Sequence, residues 1–393
     1  MAKLKLWNAF TADRSIRSAV FAFTLTRLLV LTIFVLGSNV RVVESDREFG
    51  LDPQELQISL ADASLLDQIR QLAIRGDGGW YLHIASRGYE RIPFESTQPH
   101  NWAFFPFFPM LWRAAAAITG GYLLTGIVLT NAILFFALVL LHRTATAFGL
   151  DPPAADRAVF YTAAFPTSYF FSIPMAESSF LLLTAGSFLA AKRNQWLTAS
   201  LLGMLAAGTR LTGLLLLPAL FILYWQANRK FNRRLLWLAL IPVSLIGFVV
   251  YLNSITGNPF AFAAIEPAWG RRAQFFLYTF WEYLSDPLEV SYKWNFEALN
   301  FLATMLAFGC GMALMRRRQW AFAFYVLAAA VLPLSSGTLQ SMTRYIMVVF
   351  PIFFVLATAA KSTIMDRVVS TVFVAALAIM TTLCTIIVTL ALS

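Results

Sequence analysis

Charge is what this sequence has least of. Asp, Glu, Lys and Arg make up 13% of its 393 residues, about half the ~25% of an ordinary soluble domain. Cysteine is scarcer still: Cys310 and Cys384 both fall in apolar segments. Two such residues make neither a disulfide framework nor a metal cluster. No Asn-x-Ser/Thr acceptor occurs anywhere, as suits a bacterial chain. No small-residue cleavage site follows the first apolar run, so no cleavable signal peptide is expected. What fills the chain instead is apolar: 59% hydrophobic and 15% aromatic, with a mean hydropathy of +0.67. Runs long enough, or nearly so, to cross a bilayer recur along its whole length. A soluble enzyme, a secreted disulfide scaffold and a singly anchored chain are excluded. The expected class is an all-α polytopic membrane protein forming a single domain over 1–393.

The net charge of +10 would suit a nucleic-acid partner, but its placement does not. The basic residues sit in short clusters between apolar runs: Arg229, Lys230, Arg233 and Arg234, then Arg316, Arg317 and Arg318. Cytoplasmic loops carry such clusters, and no nucleic-acid partner is expected. They also set the threading. A first span at 17–37 starts inside, behind Lys3, Lys5 and Arg14. Residues 38–102 form a large polar, helical external loop. Residues 103–118, aromatic and proline-interrupted, read as an interfacial or re-entrant helix. Spans follow near 121–142, 157–172, 176–191, 196–209, 211–226, 235–252, 298–315, 320–335, 343–360 and 368–390, giving about eleven crossings. A second external loop covers 253–297. Segments of about 14 residues reach only ~21 Å and must line a cavity or an invaginated surface. The localisation expected is the bacterial cytoplasmic membrane with the site on its external face, or the ER membrane with a luminal site.

With sidedness assigned, the unusual residues gather on one surface. Asp77 lies in RGDGGWYLHIASRGY, between glycines, with Trp80, Tyr81 and Tyr89 offering flat faces suited to sugar rings. One central carboxylate is not the pair of a glycosidase. Asp77 alone could equally cap a helix starting near 79, and Glu177, following Pro174, is more simply read as a helix-terminal carboxylate. Arg210 in AAGTRLTG and Arg344 in SMTRYIMVVFP each need an anion or a route to the interface. Two on the side of an external acid favour anion binding. Glu266, Trp269, Arg271 and Arg272 stand in the second external loop; His100 and Trp102 precede the aromatic run. His83 lies on the loop helix, and Arg27, inside the first span, carries no assigned role. No metal-ligand spacing appears, although Asp77 as base, ligand or both leaves a divalent cation possible.

Five blocks in order carry a resemblance: RGDGGWYLHIASRGY, NWAFFPFFPMLWR, FPTSYFFSIPMAESSFLLLTAGSFLAAKR, LLGMLAAGTRLTGLLLLPAL and SMTRYIMVVFPIF. Together they resemble the second mannosyltransferase of GPI-anchor synthesis (PIG-V) and its bacterial relatives, membrane glycosyltransferases of the GT-C type. The chain departs from that pattern at Gly76, where the family usually has an aromatic, and at Met175, where it usually has Tyr or a similar residue. The resemblance implies a GT-C-like helical bundle and inverting transfer of a hexose, mannose, from a polyprenyl-phosphate carrier to an acceptor hydroxyl on a glycolipid, glycan or protein. Asp77 matches the catalytic base. Arg210 and Arg344 are then candidates for the donor phosphate. Trp80, Tyr81, Tyr89, His100, Trp102, Glu177, Glu266, Trp269 and Arg271 are candidates for substrate contact. A transporter or flippase of a lipid-linked sugar is the competing expectation, and would concentrate charge and broken helices near the midplane of related halves. A non-catalytic scaffolding subunit, the third, would tolerate loss of Asp77.

Overall fold

A computed structural model of the protein describes residues 13–38, 64–285, 287 and 296–386. The expectations that rest on Lys3 and Lys5, and on 39–63 and 288–295 of the external loops, lie outside these residues. Every regular element among the described residues is helical. In chain order they are α1 (Arg14–Ser38), α2 (Leu65–Arg70), α3 (Gly78–Ser86), α4 (Phe107–Thr119), α5 (Leu123–Ala147), α6 (Pro152–Ala164), α7 (Glu177–Lys192), α8 (Trp196–Ala207), α9 (Leu216–Asn228) and α10 (Val243–Thr256). Then follow α11 (Ala261–Ala264), α12 (Phe276–Ser285), α13 (Phe296–Arg316), α14 (Trp320–Leu334), α15 (Met342–Met347), α16 (Pro351–Ala359) and α17 (Thr363–Ile386), with 3-10 turns between several of them.

Six helical stretches among the described residues are long and apolar enough to cross a membrane: Arg14–Gly37, Leu123–Ala147, Leu211–Asn228, Arg233–Thr256, Glu297–Arg316 and Thr363–Thr385. The chain is a multi-pass membrane protein. The other expected crossings are built from shorter helices, of which α7 lies inside. In α7 almost every side chain is buried, between α5 on one side and α8 on the other. A helix apolar all round is stable only when so surrounded. The expected span 343–360 is not one helix. It divides into α15 and α16, with Pro351 at the first turn of α16, because proline cannot donate into a preceding turn but is well placed to start one.

Hydrogen bonds sort the helix ends into two sets. At one end Arg14 Nη2 donates to Asp156 at 2.6 Å, Arg157 Nε to the Ala357 carbonyl at 3.1 Å, and Arg317 Nη1 to Thr358 at 2.7 Å. At the other end the Phe107 amide donates to the Gly208 carbonyl and the Arg272 amide to that of Ser336, both at 2.9 Å. Arg27, deep in α1, reaches neither set and is 2% exposed. Its Nη1 and Nη2 donate to the Ser168 and Ala163 carbonyls and to the Ser168 and Ser172 hydroxyls at 2.7–3.0 Å. It thereby satisfies backbone acceptors where α6 stops short.

The turn between α8 and α9 is built as two halves, as their lengths require. Arg210 is extended (φ −157°, ψ 147°), and the 3-10 turn Leu211–Leu215 leads into α9. Gly213 packs directly on the α8 backbone: a Cβ there would lie 2.4 Å from the Ala206 carbonyl group. Nothing in that wall is a side chain that could turn aside. Gly213→Val is therefore expected to separate the two halves, at about 1–3 kcal/mol or more. A thermal-unfolding scan in detergent should show a lower midpoint, and an unchanged midpoint would contradict this packing.

Candidate active site

Four charged side chains from distant parts of the chain converge at the second end of the bundle. Arg344, on α15, donates from Nε to Glu177 Oε1 at 2.5 Å and from Nη1 to Asp77 Oδ2. Arg210 donates from Nη1 to the same Glu177 oxygen at 3.1 Å. The guanidinium of Arg344 thus stands between the two carboxylates. The rings of Phe170 and Tyr345 lie beneath Arg344 and Arg210, at 5.1 and 4.8 Å, a favourable setting for a guanidinium.

Local sequence explains how Asp77 comes to face this group. The chain turns at Gly76, with φ +58°, and a Cβ on Gly78 would meet the Ala73 carbonyl at 2.8 Å. The turn closes only with glycine at both positions. Asp77 occupies the N-cap of α3, but its side chain makes no capping bond. Of the two readings open in the sequence, the cap is therefore not the one the carboxylate adopts. The far end of α3 is held by Arg113 of α4, whose Nε and Nη2 donate to the Ala85 and Ile84 carbonyls at 2.6 and 3.0 Å. Positive charge is favoured at that terminus.

Glu177 is the innermost member. It opens α7 and its side chain is 0% exposed, against 26% for Asp77, 11% for Arg210 and 10% for Arg344. Its Oε2 has no hydrogen-bond partner among the described residues. Glu177 braces the arginines from below and does not line the cavity above them.

That cavity has a volume of about 560 Å³ and a floor of Asp77, Arg210 and Arg344. Phe104, Phe105, Leu211, Phe262, Leu332 and Pro333 make apolar walls; Tyr81, Glu266, Trp269, Arg271, Arg272 and Tyr345 add polar groups. Arg271 is bound to Glu266 Oε2 at 3.0 Å and to the Tyr345 hydroxyl at 2.8 Å. Tyr345, against the effect of burial, and then Glu266 hold its guanidinium above the ordinary value, so it stays cationic. Burial pushes the Tyr81 phenol up, so that group stays neutral. Arg272 is exposed, lines the same cavity, and forms no ion pair among the described residues. Four arginines (210, 271, 272 and 344) meet three carboxylates (Asp77, Glu177 and Glu266), leaving the site one positive charge in excess. Trp269 Nε1 and Arg271 Nε are buried donors with no partner among the described residues.

Besides Glu177, four of the sequence candidates are not on the cavity wall. Trp80 stacks on Phe104 with ring centroids 5.9 Å apart and meets Trp269 edge-on at 5.6 Å. The Tyr89 hydroxyl donates to the Phe104 carbonyl at 2.6 Å. Trp102 is fully buried, donating from Nε1 to the Glu90 carbonyl at 2.9 Å. His100 stacks on Trp102 and bonds with Glu90 and Glu95. Their flat faces are used on other protein rings: Trp80 packs on Phe104, and Tyr89 meets Phe248, which in turn packs on Phe105. His83 lies beside Asn101 Nδ2 at 3.0 Å, and burial lowers its pKa. Tyr345 was not singled out in the sequence. It follows Arg344 directly, and adjacent helical positions point about 100° apart, so neither marks the other. Among the described residues no group of three His, Cys, Asp or Glu side chains is arranged to hold a metal ion.

No protein-family model matches the chain, and no curated protein matches it. Two crystal structures of the oligosaccharyltransferase of Archaeoglobus fulgidus are similar to it. One, tethered to an acceptor peptide, aligns with 13% identity and a TM-score of 0.46, over 91% of this chain and 54% of that one. The other, a complex with zinc and sulfate, aligns with 15% identity and a TM-score of 0.44, over 92% and 52%. This chain spans about half the length of that protein.

Proposed function

We propose that the protein is a membrane glycosyltransferase of the GT-C type, moving a hexose from a polyprenyl-phosphate carrier to an acceptor hydroxyl with inversion. The sugar that the sequence blocks suggest is mannose, and the acceptor is a glycolipid, glycan or protein. The observation that carries this reading is the floor of the cavity: one partly accessible carboxylate, Asp77, held by Arg344 beside a surplus of guanidinium groups. The basic clusters belong to the opposite end of the bundle, so by the positive-inside rule the cavity faces outward. Nucleotide sugars do not reach that face, which makes a lipid-borne donor the fitting one.

The chemistry follows from the charges. The acceptor hydroxyl gives its proton to Asp77 while its oxygen forms a bond to the sugar C1. The bond from C1 to the phosphate oxygen breaks, and the polyprenyl phosphate leaves with that electron pair. A phosphate leaving group needs no protonation, so one general base suffices. The growing negative charge falls where Arg210, Arg271, Arg272 and Arg344 converge, and fixed cations there lower the barrier without reorganising. Trp269 Nε1 and Arg271 Nε offer further donors. The walls of Phe104, Phe105, Phe262 and Leu332 suit the first prenyl units of the carrier.

A flippase finds less support. Arg27, the buried charge deep in α1, spends its guanidinium on protein oxygens, and the polar groups of the cavity lie at one end of the bundle.

The test is to incubate purified protein with polyprenyl-phosphate mannose and with polyprenyl-phosphate glucose and follow release of polyprenyl phosphate. Release from one of them supports the reading; release from neither contradicts it. Arg272→Ala removes a cavity cation whose side chain forms no ion pair among the described residues. It is expected to raise the apparent KM for the donor several-fold with the acceptor KM unchanged. An equal rise in both would remove Arg272 from the donor phosphate.

A further inference from the structure

A second cleft lies at the opposite end of the bundle, between α1, α6 and α17, with a volume of about 630 Å³. Its chemistry is independent of the glycosyltransferase reading. Arg14, Arg17, Arg157, Asp156 and Asp366 line it, with Phe21 and Phe160. Both acids hold hydrogen bonds, and against Arg14, Arg17 and Arg157 they leave the cleft one positive charge in excess. Asp156 Oδ2 accepts from Arg14 Nε and Nη2 at 3.0 and 2.6 Å, and its Oδ1 pairs with His142 at 3.1 Å. Asp366 accepts from the Tyr161 hydroxyl at 2.6 Å. Among the described residues the Arg17 side chain forms no hydrogen bond or ion pair, and Arg157 uses only Nε, on the Ala357 carbonyl.

Beyond this basic mouth the cleft face of α1 is apolar and bare. Phe21, Leu25 and Leu28 make an exposed stripe along α1. Their spacing places them on the helix face that carries Arg14, Arg17 and Ser18 into the cleft. A basic mouth joined to an apolar stripe has the form of a lipid with an anionic headgroup. A soluble anion would leave the stripe uncovered, and a zwitterionic headgroup would bring its own cation to Arg17.

We propose that this cleft holds one anionic phospholipid, its phosphodiester on Arg17 and Arg157 and its acyl chains along the α1 stripe. Guanidinium groups recognise phosphate oxygens in pairs, and basic pockets between membrane helices select anionic headgroups.

The test is native mass spectrometry of the full chain with equimolar phosphatidylglycerol and phosphatidylcholine of the same acyl composition. One phosphatidylglycerol should be retained over phosphatidylcholine by about five-fold or more, the scale of a single arginine near a lipid surface. Arg17→Gln should bring the ratio close to one and Arg17→Lys should largely restore it. Among the described residues the Arg17 side chain forms no hydrogen bond or ion pair, so neither variant breaks one there. Millimolar inorganic phosphate should not displace the lipid. Equal retention of both lipids by the parent, an unchanged preference in Arg17→Gln, or displacement by phosphate would each overturn the proposal.

Discussion

Glu177→Ala is expected to cost the protein its fold before it costs any chemistry. The carboxylate is completely buried and its Oε1 receives both Arg210 and Arg344. Its removal leaves two nearly buried guanidinium groups with one acid, Asp77, to share. Breaking a buried pair by deleting one partner typically costs about 3–5 kcal/mol, because the charge left behind is uncompensated. That is comparable to the whole stability of many domains. Yield of monodisperse protein and the thermal midpoint in detergent should both fall sharply. Glu177→Gln keeps one acceptor oxygen and should be intermediate. If Glu177→Ala purified and melted like the parent, Glu177 would not be the brace described.

Asp77→Asn should behave in the opposite way: folded, and inactive. The amide keeps the shape of the side chain and can still accept from Arg344, while Glu177 continues to neutralise that arginine. What is lost is the ability to take a proton. A positioned base contributes about 100- to 10,000-fold to such a reaction, so transfer should fall by that factor with the melting midpoint little changed. The contrast between the two acids is the informative result. Both are carboxylates joined to Arg344, and their exposures, 0% and 26%, divide a supporting role from a chemical one. Full transfer by Asp77→Asn would make the scaffolding-subunit reading the better one.

Much of this arrangement was legible in the sequence because hydropathy is a property of each segment against lipid. The membrane class and the long spans come from such local terms; the two-part build of 196–226 follows from keeping Arg229–Arg234 on the inner side. The gathering of Asp77, Glu177, Arg210 and Arg344 at one end of the bundle also follows from counting crossings, which needs no knowledge of how helices pack. What each arginine meets does not follow. The bond from Arg344 to Asp77 joins residues 267 apart in the chain, and it depends on helix register that hydropathy does not encode. An external acid and two buried arginines suggested an anion site, and in the structure those arginines already hold protein carboxylates. The anion proposed for the cavity must therefore be met by the excess charge, to which Arg271 and Arg272 contribute.

The aromatic residues taught the other lesson. Trp80, Tyr89, His100 and Trp102 carry flat faces that suit sugars, and equally suit other rings of the protein. Buried aromatic surface is stabilising wherever it is found, and composition alone does not say which pairing wins. The break between α15 and α16 was readable in principle from Pro351, yet the apolar run 343–360 masks it. Tyr345, which ties the loop after α11 to the floor through Arg271, carries no signal of its own.

The most direct test of the account is where the carrier's phosphate sits. A polyprenyl phosphate bearing a photoreactive group beside the phosphate should be irradiated with the full-length protein and the labelled peptides sequenced. Label is expected within 209–212, 262–273, 332–336 and 344–345, reduced by competing polyprenyl-phosphate mannose. Label confined to other segments, or label in these segments that the competitor leaves untouched, would contradict it.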